Sequence, residues 1–461
     1  MIRRTIQEIA EMIHAENAAD LKNNQSIVQG VCIDTRKIAD GNLYIPLKGR
    51  HTDGHQYVGD AIRKGAAASL WQKDVPNPPA HLPLIIVEDV LKSLQELANR
   101  YRSQLRVKVV GVTGSNGKTT TKDMVAAVLA QKYKVQKTEG NFNNHQGLPL
   151  TILSLDEDTE AAVIEMGMSA KGEISLLTRI ARPDIAVITN IGEAHIQNLG
   201  SREAIADAKL EITEGLPENG LLIYIGDEPL LQERVPNIKG IRTKTFGRQK
   251  SNDLYPISIT QNDEGSTFKT NATEKAEFYL PVLGEYNVIN SLAAILAGRE
   301  LGLSFQEIRT GLGNVKLTAM RMEMAEGIQG SKVINDAYNA SPTSMRAAIR
   351  LVEQLKGAGR KILVLGDMLE LGEKEEDFHT EIGRGLNPHD IQYVFTYGRL
   401  GRFIADGAKT VFPDGRVLAF DDKSRLIAVL KENIEANDVI LVKASRGMQL
   451  EEVARAITVQ K

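Results

Sequence analysis

The sequence predicts an α/β protein of three domains, and three observations carry that prediction. The chain has 461 residues, more than a single hydrophobic core normally supports and enough for about three domains. Buried-strand patterns alternate with helical ones along most of its length, the order that builds mainly parallel sheets. One of these strands ends in a glycine-rich turn that opens directly into a helix. Together these features divide the chain into a small N-terminal α/β unit over 1–104, a central doubly wound sheet over 105–315 and a C-terminal α/β unit over 316–461.

Composition narrows the class of function. With 42% hydrophobic and 25% charged residues the chain is an ordinary globular protein. Its formal net charge of −3, with basic residues scattered along the chain, gives no electrostatic case for nucleic acid or an anionic membrane. The single cysteine, Cys32, excludes an internal disulfide framework and fits a reducing compartment. It lies in the strand-like run Val31-Cys32-Ile33, where a small buried apolar residue is expected rather than a nucleophile. At the N-terminus Ile6, Ile9, Ala10 and Ile13 share a helical face, interrupted by Glu8 and Glu11. That is an amphipathic helix, without the unbroken apolar core of a signal peptide. No run approaches the length of a membrane span, so a cytoplasmic protein with neither membrane nor nucleic-acid partner is expected.

In the first unit, Asp34-Thr35-Arg36 follows the Val31-Cys32-Ile33 strand, and Asp53-Gly54-His55 lies beyond the strand-like Leu43–Leu47 run. Polar residues at strand ends are where ligands sit in open α/β sheets. A local ion pair between Asp34 and Arg36 would account for that tripeptide equally well. Pro76, Pro78, Pro79 and Pro83 mark a surface loop, and 90–105 reads as the helix that leads into the next unit.

The second unit opens on an apolar β-branched run, Val107 to Val112, followed by Thr113-Gly114-Ser115-Asn116-Gly117-Lys118-Thr119-Thr120. Met124, Val125, Val128 and Leu129 then recur with helical spacing. In such a strand–loop–helix, consecutive backbone N–H groups and the positive end of the helix dipole face one small volume, which suits a polyphosphate. Lys118 would reach the terminal phosphates and Thr119 would offer its hydroxyl to Mg²⁺. The general phosphate-loop pattern has a glycine where Val112 stands, so the flanking strand and helix carry much of the assignment. Further strands, Ala161 to Glu165 and Ile185 to Asn190, also end in polar groups. Glu165 delivers a hard oxygen to the sheet edge beside the loop, where Mg²⁺ would accept it. His195 lies just past the next strand end, where a packed histidine and a ligand are both open. Between 221 and 283, short strands separated by Gly and Asn turns predict an antiparallel addition, after which Asn287 and Asn290 open a helix.

Lys209 stands out in the helix 201–215. Ile205, Ala208 and Ile212 form its apolar stripe, and Lys209 falls on the same face. An ammonium there is costly unless its stem lets it snorkel, the commoner solution, or its amine is chemically altered. In the third unit, Lys332–Asp336, Lys361–Asp367 and Val439–Lys443 are buried-strand patterns ending in polar residues, a second, Rossmann-like sheet with a ligand-bearing edge.

These stretches resemble the Mur ligases, ATP-dependent amide-forming enzymes of peptidoglycan precursor synthesis, over essentially the whole chain. The phosphate loop, Glu165-Met166-Gly167, Asn190 to His195, Ala208-Lys209-x-Glu211 and Gly284 to Asn290 are similar to successive motifs of that family, in order and spacing. Asn141 to Pro149, Asp336 to Met345 and Leu365 to Gly372 resemble the members that add D-alanyl-D-alanine to UDP-N-acetylmuramoyl-tripeptide. Ser341 stands where that pattern usually has Asn, a change expected to be tolerated.

The resemblance implies a small UDP-binding first domain, a central P-loop ATPase-like domain and a Rossmann-like last domain, acting on those two substrates with ATP and two Mg²⁺ ions. It implies that Gly114, Ser115, Asn116, Gly117, Lys118, Thr119 and Thr120 hold ATP phosphates, with Asn290 at adenine, Arg321 at phosphate and Asp336 at ribose. Thr119 and Glu165 would serve the first magnesium and His195 the second. Lys209 would carry a CO₂-derived carbamate, an anion that ligates the second metal. Lys118, Lys209, His195 and Glu165 are thus the catalytic candidates. Asp34, Thr35, Arg36, Asp53, Gly54 and His55 would bind the UDP substrate. Asn144, Asn339, Ser344 and Ser445 would lie toward the reacting substrates. A monomer is expected, with a hinge near Gly311 to Leu317 that closes the last domain on the middle one.

Two alternatives bear on that expectation. Another amide ligase of the family, such as the enzyme adding the third peptide residue or folylpolyglutamate synthase, would share the motifs and differ in its amine. A regulatory P-loop nucleotide-binding protein would bind without ligating, and the Asn-Lys-x-Asp guanine reader of a GTPase is absent from the sequence.

Overall fold

The structure, a computed structural model, describes residues 1–49, 52–262, 264–357 and 359–459. Strand Arg3–Thr5 pairs antiparallel with Ile27–Gln29, and Thr5 and Glu8 close a capping box that starts helix Ile6–Met12. Val31–Cys32, Leu43–Tyr44, Ala68–Gln72 and Leu84–Val87 form a four-stranded parallel sheet. Cys32 is half-buried and free, and its thiol faces the Asp34 carbonyl. Helix Val90–Gln104, N-capped by Asp89, turns Leu94, Leu97, Ala98 and Tyr101 into a core shared with Leu148, Ile152, Ile174 and Leu177 of the middle unit. Arg102 strengthens that joint by donating to the carbonyls of Ala181 and Arg182.

The middle sheet is six-stranded and parallel, in the order Arg242–Phe246, Leu221–Ile225, Ile185–Ile188, Lys108–Thr113, Ala161–Glu165, Val135–Lys137. Its four central strands are buried on both faces, which explains their continuous apolar runs. Lys108–Thr113 sits where the chain changes direction across the sheet, the position at which open α/β sheets form a ligand crevice. The region from 221 to 283 departs in part from the sequence-based expectation. Leu221–Ile225 and Arg242–Phe246 extend the parallel sheet, and only Pro256–Gln261, Ser266–Thr270 and Thr273–Leu280 form the antiparallel addition. Short strands with polar flanks look alike in the two arrangements until a neighbour is known.

The last unit carries a six-stranded sheet in the order Glu323–Glu326, Lys332–Asn335, Val439–Lys443, Lys361–Gly366, Tyr393–Tyr397, Val417–Phe420. All pairs are parallel except the first. Among the described residues no helix is long and apolar enough to cross a membrane.

The connection between the last two units differs from the expected hinge. Helix Phe305–Gly313 lies against helix Lys118–Leu129, with Leu312 and Val315 in the middle unit's core. The Thr318 N–H and hydroxyl both donate to Asp123 Oδ2, each at 2.8 Å. Residues 311–317 therefore pack with the middle unit, and beyond them Met320 and Met322 take left-handed backbone angles. A Cβ on Gly311 would come within 2.6 Å of the Val128 backbone. Gly311→Ala is expected to destabilise the protein by about 1–3 kcal/mol through overpacking, read as a lower urea midpoint at unchanged slope.

Candidate active site

Two glycines shape the turn between strand Lys108–Thr113 and helix Lys118–Leu129. Gly114 and Gly117 both have positive φ, and a Cβ on Gly114 would overlap the Thr189 hydroxyl. The turn is pinned from the next strand: Ser115 N–H donates to the Asn190 carbonyl at 3.0 Å, and Asn116 N–H to Asn190 Oδ1 at 2.9 Å. With its backbone fixed this way, the helix N-terminus opens onto a cavity of about 400 Å³ between the middle and last units. Ser115, Asn116, Gly117, Lys118, Thr119 and Thr120 line one wall, with Glu165, Asn144, His195 and Asn290. Arg321, Asp336, Asn339 and Ser344 line the other. The Asn290 amide lies beside Gly117, about 3.0 Å from where a Cβ would stand.

The charges in this cavity are incompletely matched. Lys118 Nζ donates to the Gly114 carbonyl at 2.8 Å, and burial pushes its pKa down, opposed by Glu165 and reinforced by Arg321. Glu165 Oε1 accepts from Asn143 Nδ2 at 2.7 Å. Its Oε2 is buried without a hydrogen-bond partner, with Lys122 Nζ 3.9 Å away. Arg321 donates to Thr119 Oγ1 at 3.2 Å and stacks 4.0 Å over the Tyr338 ring, and its buried Nε has no partner. A buried carboxylate oxygen without a hydrogen bond, with Lys118 and Arg321 lining the same cavity, forms a donor set that fits Mg²⁺ and phosphate oxygens together. No three His, Cys, Asp or Glu side chains converge as a ready metal cage among the described residues. Magnesium held by one or two carboxylates and substrate phosphates needs no such cage.

His195 has a left-handed backbone, and its Nδ1 meets Glu370 Oε2 of the last unit at 2.5 Å. Desolvation holds its pKa below the usual histidine value, against the pull of Glu370. Lys209, on helix Arg202–Leu210 with Ser201 as N-cap, is buried, and desolvation followed by repulsion from Lys118 drives its pKa far down. It does not line the cavity and joins the site electrostatically, repelled by Lys118 and lowering the pKa of His195. Its buried position departs from the snorkelling arrangement commoner for lysine.

Asp336 accepts from Lys443 Nζ, and its Oδ1 from Met322 N–H at 3.1 Å. Lys443, Asn143, Tyr338 and Glu370 are site members that sequence reasoning did not single out. Lys443 and Asn143 stood inside stretches already marked as a strand end and a motif, whereas Glu370 becomes visible only once the last unit is docked. Ser344 lines the cavity. Ser445 does not: its hydroxyl accepts from Leu369 N–H at 2.9 Å and faces the Ala340 carbonyl.

The first-unit candidates lie outside this cavity. Asp34 pairs with Arg36 at 2.8 Å, and the Arg36 side chain and N–H lower its pKa to about 2. The Thr35 carbonyl accepts from Lys64. Asp53 Oδ1 meets His55 Nδ1 at 2.6 Å, and His55 Nε2 accepts from Gln72 N–H at 3.2 Å. Gly54 is enforced by packing, since a Cβ would come 2.7 Å from the Pro46 backbone.

Three family models match successive parts of the chain: "Mur ligase family, catalytic domain" over 27–102, "Mur ligase middle domain" over 112–298 and "Mur ligase, glutamate ligase domain" over 320–446. The chain belongs to the Mur ligase family. A relative from Bacillus subtilis (strain 168), named UDP-N-acetylmuramoyl-tripeptide--D-alanyl-D-alanine ligase, is 53% identical, covering 99% of this chain and 98% of the relative. The protein of that name from Escherichia coli (strain K12) is 33% identical over 99% of both chains. Among solved structures, MurF from Acinetobacter baumannii superposes with a TM-score of 0.88 at 27% identity, covering 99% of this chain and 98% of that one. MurF from Thermotoga maritima in complex with ADP gives 0.82 at 30%, covering 93% and 97%. A folylpolyglutamate synthase from Mycobacterium tuberculosis, at 16% identity and a TM-score of 0.60, shares the fold alone.

The burial of Lys209 has a measurable cost. Because its folded-state pKa is lowered, the unfolded chain binds the extra proton and stability rises with pH up to the ordinary lysine value of 10.5. In CO₂-free buffer, Lys209→Met is expected to raise the unfolding midpoint. The gain should be largest below the folded-state pKa and should vanish as pH approaches 10.5, as followed by denaturation across that range.

Proposed function

We propose that this chain ligates D-alanyl-D-alanine to UDP-N-acetylmuramoyl-tripeptide, converting ATP to ADP and phosphate and giving the UDP-linked pentapeptide. The observation that carries this reading is full-length identity of 53% to a relative bearing that activity in its name. The desolvated cationic cavity at the phosphate loop is the matching chemistry.

A carboxylate does not condense with an amine in water. The tripeptide's terminal carboxylate therefore attacks the γ-phosphorus of ATP, and ADP leaves. The resulting acyl phosphate is attacked by the dipeptide amine, and orthophosphate leaves from a tetrahedral intermediate. Lys118 and the loop amides of Gly114 to Thr120 neutralise charge on the transferred phosphoryl group. Arg321 adds a second cation from the last unit, Asn290 faces the base and Asp336 the ribose. Thr119, Glu165, His195 and a carbamylated Lys209 would hold two Mg²⁺ ions, which supply electrophilic stabilisation of the phosphoryl oxygens. Asn144, Asn339 and Ser344 lie where the reacting carboxylate and amine would meet, and Ser445 supports that edge through Leu369. Asp34, Thr35, Arg36, Asp53, Gly54 and His55 would form the uridine-nucleotide end of the substrate site.

Closure of the last unit excludes water, to which an acyl phosphate is vulnerable. Substrates of this kind and a free Cys32 support a cytoplasmic location.

Phosphate release is expected only when ATP, UDP-tripeptide and D-alanyl-D-alanine are all present. With ¹⁸O in the tripeptide carboxylate, one label should appear in the released orthophosphate; turnover with unlabelled phosphate would rule out the acyl phosphate. Lys209→Ala should lose nearly all ligation and regain part of it with short carboxylic acids. Full activity in that variant would dispose of the carbamate.

A further inference from the structure

The first turn of helix Pro342–Gln354, which contributes Thr343 and Ser344 to the cavity wall, also makes contacts across the domain boundary. Ser341 is its N-cap, joined to Ser344 in a reciprocal capping box. The same Ser341 hydroxyl, 2% exposed as a residue, donates across the domain boundary to Asn116 Oδ1 at 3.1 Å. Two residues on, Thr343 Oγ1 donates to Glu193 Oε2 at 2.6 Å. Gly192 fills the space between: a Cβ there would lie 3.3 Å from Asn116 Nδ2 and 3.7 Å from Thr343 Oγ1.

Asn116 is held in two independent ways. Its backbone is clamped from inside the middle unit, the N–H by Asn190 Oδ1 at 2.9 Å and the carbonyl by Asn190 Nδ2 at 3.0 Å. Its side chain is held from the last unit, by Ser341. Asn116 Nδ2 is buried at the cavity without a partner, a donor whose direction follows from what grips the other end of the amide.

We propose that the Ser341–Thr343 turn is a closure latch, which converts docking of the last unit into one fixed orientation of the Asn116 amide in the phosphate loop. Ser341 and Thr343 are then positioning residues for the phosphoryl-transfer step. They act through Asn116 and Glu193; Thr343 lies on the cavity wall with its hydroxyl taken by Glu193. This rests on the ligase reading above. It also explains how Ser serves at 341: it caps the helix and still carries a hydrogen for Asn116.

Thr343→Val removes the hydroxyl without changing side-chain shape or the cap. Ser341→Gly is tolerated at an N-cap and removes the donor to Asn116 without burying a charge. Each should lower kcat by about tenfold, the scale of one hydrogen bond lost from the transition state. The KM for ATP and the melting temperature should be unchanged, and Ser341→Thr, which keeps the hydroxyl, should restore kcat. Wild-type kcat in both variants, or a rise in KM for ATP that accompanies a lower melting temperature in both, would overturn the latch. Hydrogen exchange of the 114–120 amides with a non-hydrolysable ATP analogue needs no turnover. It should be faster in both variants than in the wild-type chain, and equal rates would overturn the latch even were the ligase reading to fail. Failure of the wild-type chain to release phosphate with the full substrate set would count against the ligase reading alone.

Discussion

Uncompensated positive charge in a place poor in water is the constraint on which the rest of this structure turns. Lys118 and Lys209 are both desolvated, Lys118 lowers the pKa of Lys209, and Arg321 presses on Lys118 from the opposite wall. The acids nearby do not neutralise them. Glu165 leaves one oxygen without a hydrogen bond, with Lys122 beside it, and Asp336 is taken by Lys443. A folded protein tolerates such a site only if surrounding apolar packing holds it in place, because each buried charge weakens the fold on its own. The parallel sheet, with its four central strands buried on both faces, supplies that packing. The field so created is preorganised for a polyphosphate before any ligand arrives, which is the economical way to stabilise a charged transition state.

The three units are joined by two kinds of interface. The first and middle units share one apolar core through Leu94, Leu97, Tyr101, Ile152 and Leu177, with Arg102 hydrogen-bonded across the seam. The last unit meets the middle one largely through polar pairs, His195 with Glu370, Thr343 with Glu193 and Arg321 with Thr119, while Ile196 and Leu283 add apolar contact. Polar seams separate at lower cost than apolar ones. The division of labour follows: one joint is permanent and the other is suited to opening.

Much of this was legible in the sequence for identifiable reasons. The phosphate loop could be read despite Val112 because strand, turn and helix are signalled locally, and Glu165 because its strand is otherwise apolar. The extra parallel strands at 221–225 and 242–246 were not legible, since their pairing depends on the distant Ile185–Ile188 strand. The packing of Gly311 was not legible either, since a glycine in sequence does not show that the close approach of the Val128 backbone requires it. Glu370 and Ser341 could not be placed by pattern, as each acquires its role from a partner more than a hundred residues away.

Lys209 shows how sign, more than position, decides what this site can do. As an ammonium it repels Lys118 and lowers the pKa of His195, so the residue works against two of its own neighbours. The lowered pKa that results keeps a fraction of the amine neutral, the form that adds CO₂ with loss of a proton. On the proposed reading the product is a carbamate, and at the same coordinates its negative charge turns the repulsion from Lys118 into attraction. On that reading, the burial that makes a lysine unfavourable there would be the condition for its modification, and the modified side chain would be the one the neighbouring charges favour.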